Sequence, residues 1–182
     1  MEEPFVILVD KNDNVTGLAG KTEAHIKALL HRAVSVFIIN TKGEWLLQQR
    51  AYSKYHSAGK WSNACCTHPF PGETNENACH RRLKEEMGLA EVSLKEAFSF
   101  IYKEPLENGL TEHELDHVFL GISDDPPVIN RSEVSDYRYI PFSRLDDEIK
   151  HQPENFTVWF RMIYSRVNDF MNNTSRESGP FD

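Results

Sequence analysis

A capped helix at residues 75–87 is the best-defined local signal in the chain. Thr74 precedes it as a side-chain N-cap, apolar residues recur at every fourth position, and Gly88 follows where a C-cap is favoured. Most other apolar segments are short and end in turn-forming residues, as strands do. The sequence therefore predicts a mixed sheet flanked by helices, in one α/β or α+β domain.

The boundaries of the predicted elements follow from the same patterns. Strands are predicted at residues 5–9, 33–39, 45–47, 61–66, 92–104, 112–122 and 136–140. Further helices are predicted at 141–150 and 154–171, with helix-forming residues also at 21–30. Residues 1–172 are expected to form the domain and residues 173–182 a disordered tail.

The composition is that of a folded domain without a nucleic-acid or membrane signal. Hydrophobic residues make up 40% and charged residues 26% of the 182 positions, close to globular averages. The formal charge is -8, and no basic run could follow a phosphate backbone. No apolar stretch reaches the ~18 residues of a membrane helix, and three cysteines fit a reducing compartment. We therefore expect a cytoplasmic protein with no nucleic-acid or membrane partner.

Several histidines and glutamates are of the types that bind a divalent metal. Glu112 and Glu114 are two apart in a predicted strand, so both carboxylates share one face. His25 and His31 would diverge on one helix and converge only if a helix end or turn lies between them; His68 is the third histidine. The alternative is that these residues form an ordinary solvated surface.

Cys65 and Cys66 end an apolar strand, where alternation points them to opposite faces. Cys66 shares its face with His68 and adjoins a loop rich in proline and glycine, so it is the better candidate for chemistry. The alternative is that both are small buried hydrophobes.

Four cations in the first half of the chain would need an anionic partner if they clustered: Lys21, Arg50, Lys54 and Arg82. Ordinary surface charge explains each of them singly, and Arg82 lies four residues before Glu86, at ion-pair spacing. Trp61 and Trp159 are by themselves equally consistent with core packing.

The helix also carries a motif. Residues 73–89 resemble the Nudix box, with two departures: Thr67 replaces the first Gly, and Arg82 replaces the Glu that follows Arg81. In Nudix hydrolases that Glu helps to gather the metals that activate water. A cation there argues for binding a diphosphate without cleaving it.

From Val6 to Trp159 the chain resembles the type 1 isopentenyl-diphosphate isomerases. The matching segments are Leu30–Phe37, Leu47–Ala51, Trp61–Pro69, Arg81–Gly88 and Glu112–Asp116. The resemblance implies a single-domain Nudix-like mixed sheet between helices. It also implies interconversion of isopentenyl and dimethylallyl diphosphate, a small prenyl diphosphate substrate, and a monomer or homodimer.

The resemblance also implies a role for each candidate. Cys66 and Glu114 would exchange protons with the alkene, with Tyr102 assisting Glu114. Trp159 and Trp61 would face the cationic intermediate. The diphosphate would be bound by Lys21, Arg50, Lys54 and Arg82 and bridged by a Mg²⁺ on Glu86.

A second ion is implied in a site of three nitrogen and two oxygen ligands: His25, His31, His68, Glu112 and Glu114. Mn²⁺ or Mg²⁺ suits five mixed ligands, and Zn²⁺ is left open although it prefers four. Two other functions stay under consideration: a metal-dependent Nudix diphosphohydrolase, and a non-catalytic module that binds metal or prenyl diphosphate.

Overall fold

The computed structural model describes residues 3–54 and 56–177. The strands are β1 (Phe5–Val9), β2 (Val15–Gly20), β3 (His31–Ile39), β4 (Glu44–Arg50), β5 (Trp61–Ser62), β6 (Cys65–Thr67), β7 (Leu94–Pro105), β8 (Thr111–Ile122) and β9 (Val134–Pro141). The helices are α1 (Lys21–Ile26), α2 (Asn75–Met87), α3 (Phe142–His151) and α4 (Val158–Glu177), with short 3-10 turns at Glu107–Gly109 and Pro153–Asn155.

Strand β3 is the centre of the sheet. Along one edge it pairs in parallel with β8 over its whole length, from His31 opposite Glu114 to Ile39 opposite Ile122. It also pairs antiparallel with β1, β6 and β4 in turn. One strand thus brings residues from distant parts of the chain to a common surface.

Alternation along β3 separates two apolar cores. Phe37 and Ile39 face α3 and α4, where Phe37 stacks on Phe160 at a ring distance of 5.9 Å. Val36 belongs to the opposite core with Leu83 of α2. The predicted mixed sheet between helices is confirmed.

Helix α2 has the predicted ends. The Thr74 hydroxyl accepts a hydrogen bond from the backbone N–H of Asn77 at 3.2 Å, and Gly88 caps the helix at a φ of 71°. Left-handed backbone at this position favours glycine.

The predicted strand at 61–66 is wrong in one respect, because it is broken into β5 and β6. The Asn63 side chain replaces the sheet ladder there by donating to the carbonyls of Val36 at 3.0 Å and Cys65 at 2.8 Å. The last helix begins and ends later than predicted, at Val158 and Glu177. Residues 173–177 are therefore helical, and the rest of the predicted tail, 178–182, lies outside the described residues.

No helix among the described residues has both the length and the apolar character needed to cross a bilayer.

Gly88→Ala should lower the free energy of unfolding more than Gly43→Ala. Both glycines have positive φ, so each alanine carries a backbone cost of about 1–2 kcal/mol. A Cβ at Gly88 would also lie 2.7 Å from the carbonyl oxygen of Val128, whereas no described atom lies within 4 Å at Gly43. This crowding should add about 1–3 kcal/mol, measured by urea denaturation. Equal losses in the two variants would contradict the packing argument.

Candidate active site and metal centre

A cavity of about 280 Å³ lies against one face of β3 and β8 and is bounded by residues of α1, α2 and α4. Most of the residues predicted from the sequence line it: Lys21, His25, Arg50, Lys54, Cys66, His68, Arg82, Glu86, Tyr102, Glu112, Glu114 and Trp159. The other two are His31, which is fully buried against His68, and Trp61.

Three histidines and one glutamate converge beside this cavity. The ligand atoms of His25, His31, His68 and Glu114 all lie within 4.8 Å of one another. The Nε2 atoms of His31 and His68 are 3.2 Å apart, and Nε2 of His68 is 2.8 Å from Oε1 of Glu114. Helix α1 ends at Ile26, which supplies the helix end that convergence of His25 and His31 requires.

Backbone carbonyls determine which ring nitrogens of this cluster carry a proton. The Nδ1 of His25 is 2.7 Å from the carbonyl of Lys21, and the Nδ1 of His31 is 2.8 Å from that of Leu29. A carbonyl only accepts, so Nδ1 donates in both rings. Nε2 of each ring therefore faces the carboxylates of the cluster, which is the orientation of histidines that bind metals.

Glu112 lies beside this group of four residues. Its Oε2 lies 3.3 Å from Nε2 of His25, and both atoms are buried without a hydrogen-bond partner. Burying these two atoms face to face is costly unless a proton or a metal cation lies between them. Three imidazole nitrogens and the carboxylate of Glu114 thus fit a divalent cation, with Glu112 next to them.

Burial and neighbouring groups shift the pKa values of this cluster. Burial lowers the pKa of His68 to about 3, so the ring is neutral at pH 7. Burial alone would raise the pKa of Glu114, but hydrogen bonds to His31 and His68 hold it well below its usual range. Burial, and then the charge of Glu114, raise the pKa of Glu112 well above its usual range.

Cys66 has a hydrogen-bonded shell that the sequence reasoning did not identify. Its Sγ lies 3.3 Å from Oγ of Ser35 and 3.3 Å from Oδ1 of Asn63. Ser35 donates its own proton to Oδ2 of Asp116 at 2.6 Å, and Nδ2 of Asn63 donates to the sulfur of Cys66 at 3.1 Å. Burial, and then the charge of Asp116, raise the pKa of Cys66 far above its ordinary value. Cys66 is thus a neutral thiol with two oxygen atoms within hydrogen-bond distance, and Cys65 is buried in the opposite core.

Tyr102 lies on β7 directly opposite Glu114. Its hydroxyl donates a 2.7 Å hydrogen bond to Oε2 of Glu114, while Oε1 of the same carboxylate faces His68. Burial raises the pKa of Tyr102 well above its ordinary value, so it stays a donor. The two oxygens of Glu114 thus have different neighbours.

Trp159 is held in place by a second chain of hydrogen bonds. Its Nε1–H donates to Oγ of Ser62 at 3.1 Å, and Ser62 donates to Oδ1 of Asn63 at 3.0 Å. The guanidinium of Arg50 lies 5.4 Å from the indole centroid, and the ring of His56 is at 5.9 Å. Asn63 therefore links the shell of Cys66 to the indole.

Cations at another part of the cavity wall pair with carboxylates inside and outside the cavity. Nη2 of Arg82 lies 2.5 Å from Oε1 of Glu86 and 2.5 Å from Oε2 of Glu133. Nζ of Lys54 contacts the same oxygen of Glu133 and lies 3.8 Å from Oε1 of Glu86. Lys21 also lines the cavity, and burial lowers its pKa although Glu112 and Glu114 act against this. All four predicted cations face one cavity.

Trp61 is not among the described residues that line this cavity. Trp61 lies in a separate surface depression, where its ring is covered by the guanidinium of Arg138 at 4.3 Å. Alternation in the short strand β5 turns this side chain away from Ser62, which bonds to Trp159. Of these two tryptophans, Trp159 lines the cavity.

Some site residues were missed by sequence reasoning for different reasons. Asp116 follows Glu114 at a spacing of two, so strand alternation alone could have identified it. His56, whose pKa burial lowers to about 3, lies in an irregular segment. Glu133 lies between β8 and β9, and no local pattern marks it.

Glu112→Gln should weaken binding of Mn²⁺ by about tenfold or more, because a charged oxygen donor is replaced by an amide. Competition with a fluorescent chelator measures the affinity directly. The control is Glu96→Gln, since Glu96 pairs with His117 outside the cluster. Unchanged affinity in Glu112→Gln, or an equal loss in the control, would remove Glu112 from the donor set.

Comparison with solved structures gives the fold. A Deinococcus radiodurans protein of 22% sequence identity superposes with a TM-score of 0.73 over 89% of this chain and 98% of its own. The MutT protein of Methanosarcina mazei, 21% identical, superposes with a TM-score of 0.62 over 77% of this chain and 94% of its own.

Sequence comparison gives the family. Residues 29–160 match the model of the NUDIX domain. The chain is 50% identical over 165 residues to the isopentenyl-diphosphate Delta-isomerase of Pectobacterium atrosepticum, covering 91% of this chain and 92% of that protein. It is 51% identical over 161 residues to isopentenyl-diphosphate Delta-isomerase 2 of Photorhabdus laumondii, covering 88% and 90%. With a NUDIX domain over most of its length, the chain belongs to the isopentenyl-diphosphate Delta-isomerase family.

Proposed function

We propose that this protein interconverts isopentenyl diphosphate and dimethylallyl diphosphate. The observation that carries the proposal is that Cys66, Glu114 and Tyr102 line one cavity together with four cationic side chains. A cavity with proton-transfer groups and anion-binding groups suits a small alkene with a diphosphate tail. The names of the relatives at 50% and 51% identity support the same reaction.

Cys66 and Glu114 are the proposed proton carriers. Towards dimethylallyl diphosphate, one proton is added to the terminal =CH₂ carbon, which becomes a methyl group. A different proton leaves the carbon next to the alkene, and its electron pair forms the new double bond. The reaction is reversible, so each group gives and takes a proton in turn, and Tyr102 supports Glu114 through its 2.7 Å hydrogen bond.

Protonation of the alkene creates a tertiary carbocation that water would trap, so the site must exclude water. Trp159 is only 4% exposed and offers an aromatic face, which stabilises a desolvated cation by about 2 kcal/mol or more. Its hydrogen bond to Ser62 fixes the ring. We therefore assign Trp159 to the alkene end of the substrate.

The diphosphate end is assigned to four cations: Lys21, Arg50, Lys54 and Arg82. Charge-assisted hydrogen bonds from Arg and Lys are the usual means of binding phosphate oxygens. Binding the charged tail holds the small alkene in place for proton transfer.

Divalent ions are part of the proposal. One ion, Mn²⁺ or Mg²⁺ with Zn²⁺ left open, would be held by His25, His31, His68, Glu112 and Glu114. When bound, it would supply positive charge that favours the ionised form of Glu114. Glu86 would hold a Mg²⁺ with the diphosphate. In the chain itself its Oε2 accepts from Gln48 at 2.6 Å and its Oε1 pairs with Arg82.

The alternative of a Nudix diphosphohydrolase has less support. Arg82, at the position of a metal-gathering Glu in the hydrolase box, is instead paired with Glu86 and Glu133. The identity to isomerase relatives also does not favour hydrolysis. We further propose that residues 1–172 carry the activity in the cytoplasm, as a monomer or homodimer, without nucleic acid or membrane.

Incubation with isopentenyl diphosphate in deuterated water tests the reaction. Because the added proton comes from groups that exchange with solvent, we expect deuterium in the new methyl group of dimethylallyl diphosphate, detected by NMR and mass spectrometry. Release of inorganic phosphate without a new alkene would indicate a hydrolase. Binding without turnover would indicate a non-catalytic module.

Cys66→Ala should lower kcat by about 10³-fold, since one of the two proton carriers is lost. Cys79→Ala is the matched control, because Cys79 is buried beside Leu83 in the other core. We expect Cys79→Ala to keep kcat close to the wild-type value even if its melting temperature falls. Near-normal turnover of Cys66→Ala, with native circular dichroism, would contradict the assignment.

A further inference from the structure

One carboxylate outside the cavity joins two of the cations that face it. Oε2 of Glu133 contacts Nζ of Lys54 and lies 2.5 Å from Nη2 of Arg82. Lys54 belongs to the irregular segment after β4, and Arg82 lies on helix α2. Glu133 thus connects two elements that are separate in sequence.

The backbone of Glu133 is fixed to the same two elements. Its carbonyl accepts from the N–H of Ala51 at 3.0 Å, at the start of the segment that carries Lys54. Its N–H donates to the carbonyl of Asn130 at 2.9 Å, and the N–H of Asn130 donates to the carbonyl of Glu86 on α2 at 2.9 Å. The carboxylate therefore has a defined position relative to both cations.

The charges explain why such a carboxylate is useful. Lys54 and Arg82 repel each other where they converge, and long cationic side chains lose rotamer entropy when a ligand orders them. A carboxylate that pairs with both reduces the repulsion and orders them before the ligand binds. Burial alone would raise the pKa of Glu133, but the bond to Lys54 and the charge of Arg82 hold it below its usual range.

We propose that Glu133 is a positioning residue that holds Lys54 and Arg82 ready for the diphosphate. This rests on the proposed function, in which both cations bind that group. Glu133 is absent from the described residues that line the cavity, so a ligand can reach the cations without displacing it. If Glu133 instead competed with the diphosphate for these cations, removing its charge would strengthen binding of the diphosphate.

The test compares Glu133→Gln with Glu148→Gln. Glu148 is a matched control because it bridges Arg138 and Arg144, and its side chain is 27% exposed against 28% for Glu133. Binding of inorganic pyrophosphate with Mg²⁺, measured by calorimetry, should weaken about tenfold in Glu133→Gln, as for loss of one close charge contact. Glu148→Gln should bind as the wild type does.

Kinetics and a double-mutant cycle separate positioning from a general structural effect. For isopentenyl diphosphate, KM should rise in Glu133→Gln while kcat stays near the wild-type value. In a Lys54→Met background the same change should weaken pyrophosphate binding much less, since one partner is already gone. Glu133→Asp keeps the negative charge on a shorter side chain, so it should recover part of the affinity for pyrophosphate. It is the variant to compare with the wild type if Glu133→Gln does not fold.

Unchanged or tighter pyrophosphate binding in Glu133→Gln, or full additivity with Lys54→Met, would overturn the proposal. Failure of the proposed function is recognised separately, as absence of isomerisation by the wild-type protein. The pyrophosphate measurements do not depend on turnover, so they still decide the role of Glu133 in that case.

Discussion

Parallel pairing of β3 with β8 is the constraint on which the site depends. The register places His31 opposite Glu114 and Ser35 opposite Val118, while β6 places Cys66 opposite Ser35. Alternate residues of these strands therefore reach one face, where the cavity forms, and their neighbours fill the core under α2. The same pairing that buries the apolar residues thus assembles the polar groups.

Buried polar groups at this face are compensated in three different ways. Glu114 is satisfied within the chain by two histidines and a tyrosine. Oε2 of Glu112 faces an imidazole nitrogen and has no hydrogen bond, which is the arrangement that a cation would complete. Lys54 and Arg82 are balanced by carboxylates. In the proposed complex, Glu114 belongs to the proton-transfer site, Glu112 to the metal site, and Lys54 and Arg82 to the diphosphate site.

Local patterns predicted most of the helices and strands, because these depend on nearby residues. The caps of α2 and the shared face of Glu112 and Glu114 follow from spacing alone. The functional meaning of scattered residues such as Lys21 came from the family resemblance. Neither source placed Glu133, because its role depends on how three distant segments meet. The position of Trp61 away from the cavity could not be predicted, because a strand of two residues gives too little pattern to orient a side chain.

The alternation of side chains along β8 also limits which insertions the strand can accept during evolution. A single-residue insertion between Glu114 and Val118 would reverse the side-chain parity of the strand on one side of the change, putting carboxylates among leucines or leucines in the cavity. Two-residue insertions would preserve parity. Drift in length is therefore expected in the turn at Glu107–Gly109, which lies outside the paired strands.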